Sequence, residues 1–213
     1  MRTLKPLEGG DLGPMLVLAL ALCLGAEARG SGDIHEIRAD AERLWQTLAA
    51  MPYAARGSGP VLYTFEFSEC PYSQQFYREW NTRLEGIEVR RLFFAVSQRS
   101  ANETAALAGS RDADDYGAFM EGRKRAPRVD DPRLPAVDFN RNVDHFNSVM
   151  GPVNEVVQPI LRSNGAITGG LISPTLIWRE QDKVYAAGGY ELEHVATITA
   201  RIQAAARDTV SEP

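Results

Sequence analysis

The chain has 213 residues, of which 44% are hydrophobic and 24% charged, a composition typical of a globular domain that buries a core. Its net charge of −5 gives no electrostatic attraction to nucleic acid or to anionic lipid, so we expect neither as a partner. The three histidines are scattered without the spacing of metal ligands, so no metal site is expected either.

The N-terminus has the pattern of an export signal. Arg2 and Lys5 precede an apolar run at 15–25, which is shorter than the about 20 residues that a membrane-spanning helix needs. Small residues then offer a cleavage site, so we predict that 1–28 is a cleaved signal peptide and that no stable membrane insertion remains. An uncleaved anchor, or a lipid on Cys23, is the alternative.

Helix and strand patterns alternate in the first half of the chain. Apolar residues recur at helical spacing over 33–50 and a Gly- and Pro-rich stretch follows, so we assign 29–58 to an amphipathic helix and a linker. The β-branched and aromatic run at 61–67 predicts a strand. A helix that starts at Pro71 and a second strand at 87–96 follow.

The second half is mostly helical before it returns to strands. The predicted elements are helices at 102–123, 143–162 and 191–207, and strands at 175–178 and 183–187. The first two of these helices form an insertion at about 100–165, and 208–213 are a tail.

The order of these elements predicts an α/β fold. The first two strands flank a helix, so they should be parallel with a right-handed crossover, whereas the last two are antiparallel. We therefore expect a mixed sheet flanked by helices, with the helical insertion before the loop that leads into the third strand.

Cys70 is the residue that we expect to carry the chemistry. Once the signal is removed it has no cysteine to pair with, and an unpaired thiol in an oxidising compartment is open to mixed disulfides. It lies between the first strand and the helix that Pro71 begins, where unsatisfied N–H groups favour a thiolate. The hydroxyl of Ser73 is expected to donate to the sulfur, and Glu69 opposes the anion. Burial of Cys70 as a small apolar residue is the alternative.

The sequence FSECPYS after an apolar strand resembles the CxxC active site of the thioredoxin superfamily, with Ser73 in place of the second cysteine. The segment LISPT at 171–175 resembles the loop that holds a cis-proline beside the active-site sulfur. The helical insertion and the run at 87–96 are most similar to the catalytic domain of bacterial periplasmic disulfide isomerases of the DsbC/DsbG type. The similarity covers about 59–206.

This resemblance implies a thioredoxin-like domain at 59–207, a periplasmic location and a catalytic Cys70. The assisting positions of the motif are Pro71, Tyr72 and Ser73. A substrate chain would pair with the backbone at Ser173, beside a cis Pro174. Those isomerases have two cysteines in the motif, and this motif has one. They also have a separate N-terminal dimerisation domain, whereas here only about 30 residues separate the predicted cleavage site from the first strand, so the oligomeric state stays open.

A single cysteine limits the chemistry to exchange. Attack on a disulfide gives a mixed disulfide, which a substrate thiol or a small thiol such as glutathione must resolve. We therefore predict monothiol, isomerase-like exchange on cysteine-containing exported proteins, with no cofactor other than glutathione as a candidate resolving thiol. The alternatives are a non-catalytic chaperone or scaffold of the cell envelope, and a glutathione-linked monothiol oxidoreductase.

Glu66, on the predicted central strand, is a candidate acid that assists proton transfer at Cys70. A glutamate that is paired with a base or faces solvent is the alternative.

Overall fold

The computed structural model describes residues 33–80, 84–189 and 192–210, so the predicted signal peptide lies outside it. The strands are β1 (His35–Ile37), β2 (Ala54–Arg56), β3 (Val61–Glu66), β4 (Glu88–Phe93), β5 (Thr175–Glu180) and β6 (Lys183–Gly188). The helices are α1 (Ala41–Ala50), α2 (Pro71–Trp80), α3 (Gln98–Ser110), α4 (Ala113–Met120), α5 (Ala136–Pro152), α6 (Gln158–Ser163) and α7 (Leu192–Val210). A π-helical turn, Val153–Val157, joins α5 to α6. Among the described residues, none of these helices is both long and apolar enough to cross a membrane.

The strands form one mixed sheet in the order β1-β6-β5-β3-β4-β2. β3 and β4 are parallel and β5 and β6 are antiparallel, as the element order predicts. β5 also pairs antiparallel with β3. The helices α3 to α6 lie between β4 and β5 in the chain, where the insertion was expected. The predicted fold class, an α/β mixed sheet flanked by helices with a helical insertion before the third predicted strand, is therefore confirmed.

The N-terminal segment differs from its prediction. The helix expected at 33–50 begins only at Ala41, because Asp40 takes a left-handed conformation (φ 58°) and the residues before it form β1, which pairs with β6. Within the expected linker, β2 pairs antiparallel with β4. The described sheet therefore has six strands, where the sequence predicted four.

The insertion is also divided differently. The single helix expected at 102–123 is two helices, because Arg111 is left-handed (φ 55°) and Asp112 starts α4 by accepting a hydrogen bond from the Asp114 N–H. The next helix begins at Ala136, directly after Pro135, rather than at 143. A proline fits the start of a helix because its missing N–H would be unpaired there.

The sheet separates two apolar cores because successive side chains of a strand point to opposite faces. On β3, Tyr63 and Phe65 pack with residues of α1 and of the π-helical turn. Leu62 points the other way and packs with Phe76 of α2 and with buried residues of α7. The two cores fix the end of β3 and the start of α2, which is where the cysteine lies.

Candidate functional site

Cys70 lies at the junction of β3 and α2, directly before the first helical residue, Pro71. Its N–H donates to the carbonyl of Phe67 at 3.1 Å, and its own carbonyl accepts from the N–H of Gln74 at 3.0 Å. These bonds make Cys70 the residue at the N-terminus of the helix, where the N–H groups of the first turn have no partner within the helix.

The thiol of Cys70 faces the proline loop. Its Sγ donates to the carbonyl of Ser173 at 3.3 Å, although the two residues are 103 positions apart. The peptide bond between Ser173 and Pro174 is cis. Cys70 retains 8% of its surface and has no disulfide partner in the described part of the chain. The sulfur is thus mostly covered, and it lies beside the loop on which the resemblance places the substrate chain.

Ser73 contacts the same loop from the first turn of α2. It is fully buried, and its Oγ lies 2.5 Å from the Oγ of Ser173. We expected this hydroxyl to donate to the sulfur of Cys70, but the partner that the structure gives it is Ser173. The hydroxyl pair is the better interaction because a thiol sulfur is only a weak acceptor.

The loop at Ser173 is itself held in place. The hydroxyl of Thr175 donates to the carbonyl of Ile172 at 2.5 Å, and the N–H of Gly189 donates to the carbonyl of Pro174 at 2.9 Å. The Ser173 carbonyl, which accepts from the sulfur, therefore belongs to a segment that these two hydrogen bonds hold in place.

Tyr72 lies between Cys70 and Ser73 along the chain, in the first turn of α2. The Tyr72 side chain is 60% exposed, in contrast to Phe76 on the same helix, which is fully buried in the core. An exposed aromatic ring two residues from the thiol offers apolar contact area to an incoming chain.

Glu66 is fully buried and paired with a base, which was the alternative to a proton-transfer role. Its Oε1 accepts from Arg91 Nη1 at 2.9 Å, and Arg91 is buried as well. Burial opposes the charge on Arg91, but the Glu66 carboxylate raises the pKa of that guanidinium above its usual value. Burial also raises the pKa of the nearby Tyr116 well above its usual value, and the negative charge of Glu66 adds to this. Assistance to Cys70 stays a prediction.

A second buried carboxylate near the motif was not predicted. Glu103 of α3 accepts from the Oγ of Ser68 at 2.5 Å and from Arg99 Nε at 3.0 Å. Burial raises the pKa of Glu103, against the lowering effect of its bonds to Ser68 and Arg99. No sequence signal marks this contact, because it joins residues 35 positions apart and Glu103 belongs to no recognisable motif.

No family model matches the chain, and no curated protein is significantly similar to it. Among solved structures, it is similar to a variant of alpha-DsbA1 of Wolbachia pipientis, with 13% identity over 75% of this chain and 94% of that one and a TM-score of 0.48. The thiol-disulfide exchange protein alpha-DsbA2 of the same organism has 15% identity over 75% and 91%, with a TM-score of 0.44. The reduced disulfide bond oxidoreductase DsbG of Mycobacterium tuberculosis has 14% identity over 77% and 98%, with a TM-score of 0.33. At such identities the likeness concerns the fold alone.

Proposed function

We propose that the protein carries out monothiol thiol-disulfide exchange through Cys70 on cysteine-containing exported proteins. The observation that supports this most directly is the 3.3 Å contact between Cys70 Sγ and the carbonyl of Ser173, next to Pro174. It joins a thiol at a helix N-terminus to a backbone segment at which a second chain can pair. An unpaired, buried structural cysteine would need neither feature.

The exchange has two steps. The Cys70 thiolate attacks one sulfur of a substrate disulfide, so that bond breaks, a mixed disulfide forms and the second substrate sulfur leaves as a thiolate. A thiolate of the substrate, or of glutathione, then attacks the mixed disulfide and releases the Cys70 thiolate. Resolution within the substrate rearranges its disulfides without net oxidation. Ser73 takes no part in it, because a hydroxyl cannot replace the second thiol.

The test measures reactivation of a substrate protein with scrambled disulfides in a glutathione buffer. We expect the wild-type chain to accelerate reactivation and Cys70→Ser to reduce the rate to the buffer background. Ser73→Cys is the matched variant: it supplies a second thiol in the motif, so we expect it to form an internal disulfide and to gain net oxidation of reduced substrates. Full activity of Cys70→Ser would contradict the proposal. Rapid turnover of glutathionylated peptides would point instead to a glutathione-linked enzyme.

A non-catalytic chaperone or scaffold is the second candidate, and the small exposed fraction of Cys70 favours it. This function predicts slow alkylation of the folded protein's thiol and binding of unfolded proteins that Cys70→Ser leaves unchanged.

Export to the periplasm belongs to the same proposal, because the substrates are exported proteins. The mass of the protein recovered from a periplasmic fraction tests it. We expect a chain that begins at Arg29, and a full-length chain in the cytoplasmic fraction would overturn this part.

A further inference from the structure

We propose that Glu103 is a positioning residue for Cys70: from the helical insertion, its carboxylate holds Ser68 and thereby fixes the loop that carries the thiol. The inference rests on the proposed function for its consequence in exchange, but the contact can be tested without it.

The bond between Glu103 and Ser68 is enclosed. Glu103 is 1% exposed and Ser68 is fully buried, and their oxygens are 2.5 Å apart. A buried hydrogen bond to a carboxylate is stronger than one between neutral groups, and loss of either partner leaves the other unsatisfied. Ser68 is two residues before Cys70, so its position limits where the cysteine can lie.

The other carboxylate oxygen is also occupied. Arg99, one turn earlier on α3, donates to Oε1 of Glu103, so the buried charge has a cationic partner as well as a hydroxyl. The carboxylate is thereby fixed to its own helix, and α3 presents it to Ser68 as a rigid acceptor.

A second contact joins the same loop to α3. The hydroxyl of Ser97, the residue that caps the start of α3, donates to the carboxylate of Glu69 and also accepts from the N–H of Ser100. Consecutive loop residues, Ser68 and Glu69, are thus attached to two points of one helix. Two attachments fix the orientation of a segment, which one attachment alone does not.

The loop is braced from α2 as well. Gln74 Nε2 donates to the carbonyl of Ser68 at 2.6 Å. Ser68 therefore links the insertion to the helix that begins after Cys70, with its hydroxyl on Glu103 and its carbonyl on Gln74. The contact of the sulfur with Ser173 depends on this placement, because Ser68 is only two residues before Cys70. A displacement of a reacting group by about 1 Å can slow a reaction by about a hundredfold.

The experiment uses five variants of the protein: Glu103→Ala, Ser68→Ala, the double variant, Glu103→Gln and Leu107→Ala. Leu107 is a buried residue of the same helix that packs with α4, so its variant controls for lost stability without touching the loop. Three quantities are measured for each: the rate of exchange with a disulfide peptide, the rate of alkylation by iodoacetamide, and stability in urea.

We expect Glu103→Ala and Ser68→Ala each to slow exchange by roughly tenfold or more. The double variant should be no slower than either, because both remove the same contact. Alkylation of Cys70 should become faster in these variants, because the loop that carries the thiol is no longer fixed and the thiol becomes more exposed to the reagent. Glu103→Gln should stay within about threefold of wild type, because an amide oxygen still accepts from Ser68. Leu107→Ala should lose stability and keep both rates.

The proposal is overturned if Ser68→Ala, which removes one hydroxyl and should fold, leaves both rates unchanged. It is also overturned if Leu107→Ala changes them as much as Glu103→Ala does. If the wild-type chain shows no exchange at all, the proposed function fails, and the alkylation rates alone then decide whether Glu103 positions the thiol.

Discussion

The hydroxyl at residue 73 joins the cysteine motif to the proline loop, in the position where a CxxC motif would carry a second thiol. Ser73 and Ser173 are both covered, and their oxygens satisfy each other. If one hydroxyl is removed, the other stays buried with neither water nor a hydrogen-bond partner, and this destabilises the fold. If both hydroxyls are removed, no unpaired buried group remains and this destabilisation disappears.

This predicts an asymmetric pattern of stabilities. Ser73→Ala and Ser173→Ala should each lower the free energy of unfolding by about 1–3 kcal/mol, because each leaves one buried hydroxyl without a partner. The double variant should lose less than the sum of the two. Urea denaturation of the three proteins checks this, and strictly additive losses would show that the two hydroxyls do not interact.

Among the elements, Arg91 of β4 connects the sheet to two helices. Its guanidinium forms the buried pair with Glu66 of β3. It also lies 5.5 Å from the ring centres of Phe76 and Tyr77 on α2 and 5.3 Å from that of Tyr116 on α4. One cation therefore fixes α2, whose first turn follows Cys70, against both the sheet and the insertion.

Arg91→Met should therefore be strongly destabilising, by about 3–5 kcal/mol, because it leaves the Glu66 carboxylate buried without its counter-ion. Adding Glu66→Gln should restore much of this loss. Arg38→Met is the matched control: Arg38 is 82% exposed, so its removal should change stability by less than about 0.5 kcal/mol. If Arg91→Met lowers the free energy of unfolding by the same amount with and without Glu66→Gln, the explanation is contradicted.

The longer elements and the position of Cys70 could be predicted from sequence because their signals are local. The strand at 61–67, the helix that starts at Pro71 and the hairpin of β5 and β6 each show their own pattern. The three-residue strands β1 and β2 carry too few residues for a pattern and form only because β6 and β4 offer free edges. The contact of Glu103 with Ser68 could not be predicted either, since it exists only after α3 packs beside the motif.

Across the whole molecule, the segment before the first predicted strand belongs to the same core as the rest. Leu44 and Leu48 of α1 are fully buried and pack in one cluster with Val153 and Val157 of the π-helical turn. The sequence shows that α1 has an apolar face, but an apolar face does not specify what covers it. Its partner lies about a hundred residues later, within the insertion.

The two ends of the described sheet, β1 and β2, have only three residues each. The edge strands of a sheet present unpaired backbone N–H and C=O groups with which a strand of another molecule can pair. A very short edge strand offers few such groups, so this pairing is weak. Edge-to-edge aggregation of several copies of the protein through β1 or β2 is therefore disfavoured. Under the proposed function, the same short edge strands would also limit non-specific pairing of unfolded substrate chains with the sides of the sheet.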